Sequence, residues 1–407
     1  MSSNDKKEKL LSFSKETKTS CLLGFSSLSV TERMSFLKEQ GFIDDTDEEI
    51  LNHVGSIGTH NLDSFIENNI GAYSLPLGIA TNFRIDNEEI LIPMAIEESS
   101  VIAAASFGAK VTRSCGGFFT SPVETIATCQ IQLFVDEKIS LENLLTAELK
   151  KNLFDIANEC HPKLLHRGGG VRSIELRKLN QTGCYVMHVN VDTKEAMGAN
   201  IVNSMAEAIG NELPTYFQCK VGAKILTNLT LNRIAKARCE ISFSELERNG
   251  FLGDDAAKRI CSVYEFACLD PFRAATHNKG VMNGIDAVVI ATGNDWRAVE
   301  AGCHAYASYS GQYKPLTRWF INDKNNLEGQ IEAPISVGTV GGVTRLHPMA
   351  KIALKLLNYP SSAKLSSIIA CVGLAQNFSA VRALGCEGLQ KGHMALHEKN
   401  LELMRKI

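Results

Sequence analysis

The strongest constraint on the fold is a change of pattern in the middle of the chain. Between about residues 123 and 230, two segments of strand composition, Ile126–Phe134 and Cys184–Val191, alternate with two predicted helices, Leu141–Cys160 and Ala196–Gly210. Strand, helix, strand, helix is typical of a small α+β domain. We therefore predict a small domain at 123–230, inserted into a larger domain that is formed by 1–122 and 231–387.

Length and charge exclude several classes of protein. A chain of 407 residues is long enough for two or three domains. Its net charge of −3 lacks the basic surplus of a nucleic-acid binder, so we expect no nucleic-acid partner. No run reaches the roughly 18 apolar residues that span a bilayer, and no apolar signal core follows Met1. We expect a soluble protein with no membrane partner.

The cysteines favour a reducing compartment. There are twelve of them, and no two form a CxxC pair. Scattered cysteines in a long chain are usually reduced and buried, which predicts a cytoplasmic protein without a zinc ribbon.

The segment Cys268–Gly280 concentrates polar chemistry. Asp270 can cap a helix that Pro271 begins, and Gly280 is predicted to end it, which places Lys279 at its mouth. Arg273 and Thr276 are three residues apart and share one face. Together with the lysine they could bind a carboxylate and polarise a carbonyl. The alternative is an ordinary basic helix end that stabilises its own carbonyls.

Two other polar segments flank predicted helices. Glu97 and Glu98 are expected in the first turn of a helix over 97–110, after strands Ile79–Phe83 and Glu89–Pro93 around an Asp-Asn turn. An apolar strand over 286–292 should lead into a helix after Asn294 or Asp295, which is a common position for ligand sites. The alternative is that Asp295 only caps that helix.

Glycines and histidines give weaker signals. The glycines of 168–170 and 338–342 fit neither GxGxxG nor a P-loop, although their amides could hold a phosphate or a thioester arm. His393 and His397 share a helix face but lack the glutamate of HExxH, so we predict no metal site. His393 is better suited to be a general acid, and a solvated surface histidine is the alternative.

Taken together, these segments resemble the hydroxymethylglutaryl-coenzyme A (HMG-CoA) reductase family, and its soluble bacterial class II closely. The matching motifs occur in the family's order over roughly residues 60 to 400: Glu67–Gly71, Glu98–Ala103, Asp270–Lys279, Gly293–Asp295, Gly338–Gly342, Gly373–Asn377 and Gly392–His393.

The resemblance implies a site. Its catalytic residues would be Glu98, Lys279, Asp295 and His393. The positions that bind the HMG group would be Ser100, Arg273, Thr276, Asn283 and Asn377. In the pair of glutamates, Glu98 rather than Glu97 corresponds to the family's glutamate.

The resemblance also implies a nicotinamide cofactor. The family's cofactor segment corresponds to Glu195–Asn200, where Glu195 replaces an aspartate. The positions implied in cofactor binding are His161, Glu195, Met197, Gly198, Asn200 and Asn228. His161 stands where NAD-selective members carry an acid, and a histidine cannot repel a 2′-phosphate. We therefore expect NADPH, with NADH as a second cofactor that the enzyme could use.

The implied architecture is a large, mostly helical substrate-binding domain, a small non-Rossmann cofactor domain at 123–230, and a C-terminal helical flap at 388–407. The implied assembly is a tight homodimer with active sites at the subunit interface, and a higher oligomer is compatible with it. The implied reaction reduces HMG-CoA to mevalonate and free coenzyme A in two steps, and it can run in reverse. The chain ends 14 residues after His393, where the resemblance implies a longer flap, so we expect closure over the site to differ.

Two rival functions are each compatible with part of the sequence. Another acyl-CoA or aldehyde dehydrogenase would need a nucleophilic cysteine, and the nearest, Cys268, is better explained by core packing. A catalytically impaired dimeric relative that only binds a coenzyme A ligand fits the short C-terminus. The presence of all four catalytic residue types argues against it.

Overall fold

The computed structural model describes residues 19–54, 57, 62–136, 141, 145–179 and 183–388. Its helices are α1 Val30–Glu39, α2 Asp45–Asn52, α3 Val101–Thr112, α4 Ala147–Glu159, α5 Pro162–His166, α6 Ala199–Tyr216, α7 Phe243–Leu246, α8 Gly253–Leu269, α9 Pro271–Ala291, α10 Trp296–Ser308, α11 Gly342–Leu346, α12 Pro348–Leu356 and α13 Ser362–Gly385. Its strands are β1 Leu77–Ile85, β2 Glu88–Ala95, β3 Phe118–Thr120, β4 Ile126–Phe134, β5 Gly170–Leu179, β6 Cys184–Asp192, β7 Lys220–Thr227, β8 Ile234–Ser242, β9 Thr317–Ile321 and β10 Asn326–Pro334.

A six-stranded sheet joins the two ends of the chain. Its strand order is β2-β1-β3-β8-β10-β9, so strands that precede residue 123 lie beside strands that follow residue 230. The predicted β1–β2 hairpin is confirmed, and its turn residues Asp86 and Asn87 both have positive φ, at 49° and 69°. Two such residues in succession are typical of the hairpin turn whose twist matches that of its strands.

The middle of the chain forms a second sheet with its own hydrophobic core. The order is β5-β6-β4-β7, and every pairing in it is antiparallel. Helices α4 and α6 contribute Leu153 and Met205 to a cluster that also holds Cys129 and Tyr185 of the sheet. The strands predicted at Ile126–Phe134 and Cys184–Val191 are confirmed, and so is the α+β class. The boundaries 123 and 230 stay a prediction.

The long helix α13 is the centre of the larger core. It packs against α9, α3 and α8 and against β8 of the six-stranded sheet. By length and composition α13 could cross a membrane, but 72% of its most apolar window is buried inside the protein. Burial of that kind is expected for the core helix of a globular protein.

Helix α9 corrects two predictions. It runs without interruption to Ala291, so Gly280 does not end it and 286–291 is helix rather than strand. A short apolar run such as Val288–Ile290 has no periodicity that separates a strand from a buried helix. Gly280 lies inside the helix and faces Ala380 of α13, while a Cβ on Gly284 would stand 2.9 Å from the Val372 carbonyl oxygen. These glycines allow two helices to pack closely.

A third correction concerns the two glutamates. Glu97 and Glu98 lie in the loop between β2 and α3, and the helix itself begins at Val101. Ser100 holds the N-cap position with a φ of 76° and makes no capping hydrogen bond. A left-handed serine is strained, and strain of this kind concentrates at functional sites. The predicted helix is confirmed in its body but starts later than expected.

Candidate functional site

The structure brings Lys279 and Glu98 together. The Lys279 ammonium lies 3.2 Å from the Glu98 carboxylate, although 181 residues separate them in sequence. Both side chains are open to solvent, the lysine by 61% and the glutamate by 40%. An exposed pair of this kind contributes little to the stability of the fold. Both charged groups are also open to a ligand from solvent.

The exposed face of α9 carries the other polar residues of Cys268–Gly280. Asp270 caps the helix through the amides of Phe272 and Arg273, and Pro271 occupies its first position, as predicted. Thr276 is exposed beside Lys279, and Arg273 is partly buried. Burial lowers the pKa of Arg273, which remains a cation at neutral pH. Lys279 is an interior helix residue, so it does not stabilise the helix end.

Three further predicted substrate residues occupy different environments. Asn283 continues the same face of α9, one turn beyond Lys279, and is half-buried. Ser100 caps α3, two residues after Glu98. Asn377 lies in the core, where its oxygen accepts from Thr317 and from the Trp319 indole at 2.9 and 2.8 Å. The structure therefore places Asn377 beneath the site.

A cleft of about 840 Å³ lies beside α9, at the opposite end from Lys279. It is lined by the predicted cofactor segment Met197–Asn200, by the glycines of 338–342 and by Asp295. Gly341 and Gly342 have positive φ and leave open space where a side chain would stand. Bare backbone of this kind can approach a phosphate or a thioester arm closely. The volume lies within the usual range for a small-molecule site.

Two glycines allow the walls of this cleft to approach each other. A Cβ on Gly338 would stand 2.5 Å from the Met197 amide nitrogen. Gly198 has a φ of 108°, and a Cβ there would meet Thr193 at 2.6 Å. A side chain at Gly338 would push the cofactor segment away from the glycine-rich segment, and one at Gly198 would clash with Thr193.

Asp295 does not contact Lys279 in this chain. Its carboxylate caps α10 through the amides of Arg297 and Ala298 and pairs with the Arg297 side chain at 3.2 Å. Asp295 follows the end of α9, whereas Lys279 lies twelve residues before that end, about 18 Å along the axis. The simple capping role considered from the sequence is therefore present. Within the described residues, Asp295 is therefore separate from the Lys279–Glu98 pair.

The remaining predicted cofactor residues surround the small sheet. His161 is hydrogen-bonded to the Ser204 hydroxyl at 2.7 Å, and Asn228 is exposed just after β7. Asp192 pairs with Lys194 and Arg172, each at 2.8 Å. Burial opposes ionisation of Asp192, but hydrogen bonds from those cations lower its pKa.

Two side chains, Glu195 and Arg233, connect the cofactor segment with the glycine-rich segment and the start of α13. Glu195, predicted to contact the cofactor, bonds to the amide of Ser362 and to the Thr339 hydroxyl. Arg233 is fully buried next to them. The only sequence signal was the replacement of an aspartate by Glu195. Arg233 stands in no motif.

His393 and most of the segment 388–407 lie outside the described residues. Within the described ranges, no three side chains of His, Cys, Asp or Glu gather as a metal site would require. The cysteines are all free thiols.

The fold is that of an α+β protein with two separate sheets and a cleft in the size range of a small-molecule site. The family model of hydroxymethylglutaryl-coenzyme A reductase matches residues 29–398. The chain therefore belongs to the HMG-CoA reductase family, which confirms the resemblance seen in its motifs.

Curated relatives of this chain are named as HMG-CoA reductases. The reductase of Archaeoglobus fulgidus is 44% identical over 386 residues, which cover 94% of this chain and 86% of that protein. A probable reductase of Borreliella burgdorferi is 37% identical and covers 84% of this chain and 78% of its own.

A solved structure gives the same result. A class II reductase from Streptococcus pneumoniae, bound to NADPH in open conformations, matches with a TM-score of 0.84 and 37% identity. That match covers 89% of this chain and 98% of the other. The expected fold class is therefore confirmed.

Proposed function

We propose that this chain reduces HMG-CoA to mevalonate and free coenzyme A with two molecules of NADPH, in the mevalonate pathway of isoprenoid synthesis. The main supporting observation is the exposed Lys279–Glu98 pair, on the helix that also carries Arg273, in a member of the reductase family. A cation and a carboxyl group in contact can supply charge and a proton to one oxygen atom.

Lys279 stabilises the negative charge that grows on the thioester oxygen as hydride arrives at the carbon. Preorganised cations at such positions contribute more than any other single effect in many enzymes. Glu98, 3.2 Å away, delivers a proton to the same oxygen when the alkoxide forms. The first reduction gives a hemithioacetal, whose collapse releases coenzyme A and an aldehyde. The second reduction gives the alcohol.

Side chains near Lys279 and Glu98 are proposed to bind the substrate. Arg273 precedes Lys279 by six residues on the same helix and suits the free carboxylate of the HMG group, which a guanidinium binds in a bidentate manner. Ser100, Thr276 and Asn283 lie within two turns of the catalytic pair along α3 and α9. Asn377 supports the site from below through Thr317 and Trp319.

The cleft at the other end of α9 is the proposed cofactor site. The residues present fit a dinucleotide, since Met197, Gly198 and Asn200 line a space of about 840 Å³ beside open glycine backbone. NADPH supplies the two hydrides when it is bound. The NADPH complex of the Streptococcus pneumoniae enzyme supports this choice, and NADH could serve as a second cofactor.

Completion of the site requires a second copy of the chain. Because Asp295 follows the end of α9 and Lys279 lies about 18 Å before that end along the axis, we infer that Asp295 of one subunit approaches Lys279 of the other. Leu269 and Phe272 are 79% and 87% exposed next to the substrate face. Apolar groups so exposed are typical of protein contacts. The expected homodimer would cover them, and a higher oligomer is compatible with it.

His393 is proposed to protonate the coenzyme A thiolate as it leaves, which prevents its return to the aldehyde. It would reach the site from the flap, outside the described residues. We place the protein in the cytoplasm, because its twelve cysteines are free thiols.

The test is loss of nicotinamide absorbance with purified protein, HMG-CoA and NADPH. We expect two NADPH consumed for each coenzyme A released, and a lower kcat/KM with NADH. The Glu332→Gln variant, which alters the exposed ion pair with Lys236 of β8, is the control and should match the parent. Binding of HMG-CoA without NADPH consumption would instead support the catalytically impaired relative.

A further inference from the structure

A buried cation stands where the predicted small domain joins the rest of the chain. Arg233 immediately precedes β8 and has no exposed surface. Its guanidinium donates to the carbonyl of Val337, to the Ser362 hydroxyl at 3.1 Å and to the Met197 carbonyl at 3.3 Å. Burial lowers the pKa of Arg233 to about 10, against the opposing attraction of Glu195, so it is a cation at neutral pH.

Glu195 completes this arrangement from the cofactor segment. Its carboxylate accepts from the Ser362 amide at 2.7 Å and from the Thr339 hydroxyl at 3.0 Å. Its carbonyl oxygen also accepts from the Thr339 amide at 2.9 Å. Both hydrogen bonds fall on the same carboxylate oxygen, Oε2, which binds the side chain to the start of α13 and to the glycine-rich segment.

The cofactor segment 194–200 and the segment 336–342 each make a further hydrogen bond to a neighbouring element. The Ser362 hydroxyl donates to the Lys194 carbonyl at 2.9 Å. The Gly338 amide donates to Asn294 at 2.7 Å, one residue before Asp295. Since Gly338 lies directly against the Met197 amide, the cofactor segment cannot shift without moving the glycine-rich segment.

We propose that Glu195 and Arg233 form a junction clamp that positions the cofactor segment 194–200 against the segment 336–342, and that Glu195 is a positioning residue rather than a cofactor ligand. This inference rests on the proposed function. Its energetic basis is that a buried cation and a partly buried carboxylate, each with at least two hydrogen bonds, hold their partners in one geometry. A misplacement of about 1 Å at the reacting centre can cost about 100-fold in rate while leaving binding nearly intact.

The test compares three variants with the parent protein. Glu195→Gln keeps the size of the side chain and removes its charge, Thr339→Val removes one hydroxyl from the clamp, and Glu332→Gln is the control at an exposed ion pair. Three quantities are measured: the Kd for NADPH in the absence of HMG-CoA, kcat with both substrates, and hydrogen exchange of the amides in 194–200 and 336–342.

For Glu195→Gln we expect kcat to fall by about 30- to 100-fold, with the NADPH Kd within about 3-fold of the parent. Exchange should become faster in both segments together, because they are held by the same groups. Thr339→Val should show the same pattern more weakly. If Glu195→Gln does not fold, Thr339→Val provides the test instead.

Two results would overturn the clamp. One is a rise in the NADPH Kd as large as the fall in kcat, which would make Glu195 a direct cofactor contact. The other is faster exchange in 194–200 alone, with 336–342 unchanged. A parent protein that consumes no NADPH would refute the proposed function, and exchange in the two segments would still decide whether the clamp exists.

Discussion

The two ends of helix α9 differ in what surrounds them. The N-terminal half presents Phe272, Thr276 and Lys279 to solvent, while the C-terminal half, with Val288 and Val289, is buried in the core. Arg273 and Thr276, two of the proposed substrate residues, lie on the open half. The end of the buried half leads into Asp295 and the cofactor cleft.

This difference fits the proposal that α9 contributes to a site which a second copy of the chain completes. The buried half fixes the helix against α13, so the open half is presented in a defined orientation. Among the described residues, Glu98 is the side chain that pairs with Lys279 on the open half, and the proposed second copy would supply a further wall. If the two halves of α9 have these different roles, substitutions in the open half should lower activity, and substitutions in the buried half should change stability.

The largest expected effect is at Lys279. Lys279→Met should reduce kcat by about 1,000-fold or more, since a preorganised donor to an oxyanion is lost. Because the side chain is 61% exposed, Tm should not change. Lys258→Met, at an exposed lysine paired with Asp254 on α8, is the matched control. A Lys279→Met protein with near-parental kcat would exclude the oxyanion role.

A smaller effect is expected at Asp295. Asparagine caps helices as well as aspartate does, so Asp295→Asn should preserve the cap of α10 and the Tm. The negative charge is lost, and kcat should fall by about 100-fold if that charge acts on Lys279. Steady-state kinetics and thermal unfolding of the same preparation give both numbers. Equal losses of stability and activity would mean that Asp295 is only a cap.

The smallest effect is expected in the buried half, at Asp286. Burial, and contact with Glu300, raise its pKa to about 9. Between about pH 4 and 9 the folded protein keeps a proton that the unfolded chain releases, so this group lowers stability as pH rises through that window.

Asp286→Asn should therefore raise Tm by about 3 °C at pH 8 and less at pH 5, with kcat unchanged. Thermal unfolding across pH, compared with Glu332→Gln, measures the difference. A Tm gain that is the same at every pH would show that Asp286 does not hold a proton in the folded state.

Local signals predicted much of the fold. The turn at Asp86 and Asn87, the capped start of α9 at Asp270 and Pro271, and the two central strands of the small sheet are all where the sequence places them. In each case, neighbouring residues determine the conformation. Where burial determines it instead, as at Val288–Ile290, the prediction of a strand was wrong.

The site was predictable only in its residue types. Lys279 and Glu98 were both singled out, but their contact spans 181 residues and no local rule gives it. Arg233 has partners 104 and 129 residues away and stands in no motif, so its role became visible only in the folded chain. The strained φ of Ser100 was equally hidden.

Complementation between two inactive variants tests the central claim most directly. Lys279→Met and Asp295→Asn subunits are coexpressed in equal amounts, and mixed dimers are isolated with two different tags. If each site takes Lys279 from one chain and Asp295 from the other, a mixed dimer has one intact site and should recover about half of the parental kcat per dimer. Mixed dimers as inactive as the two parent variants would show that both residues act within one chain, and would contradict the account.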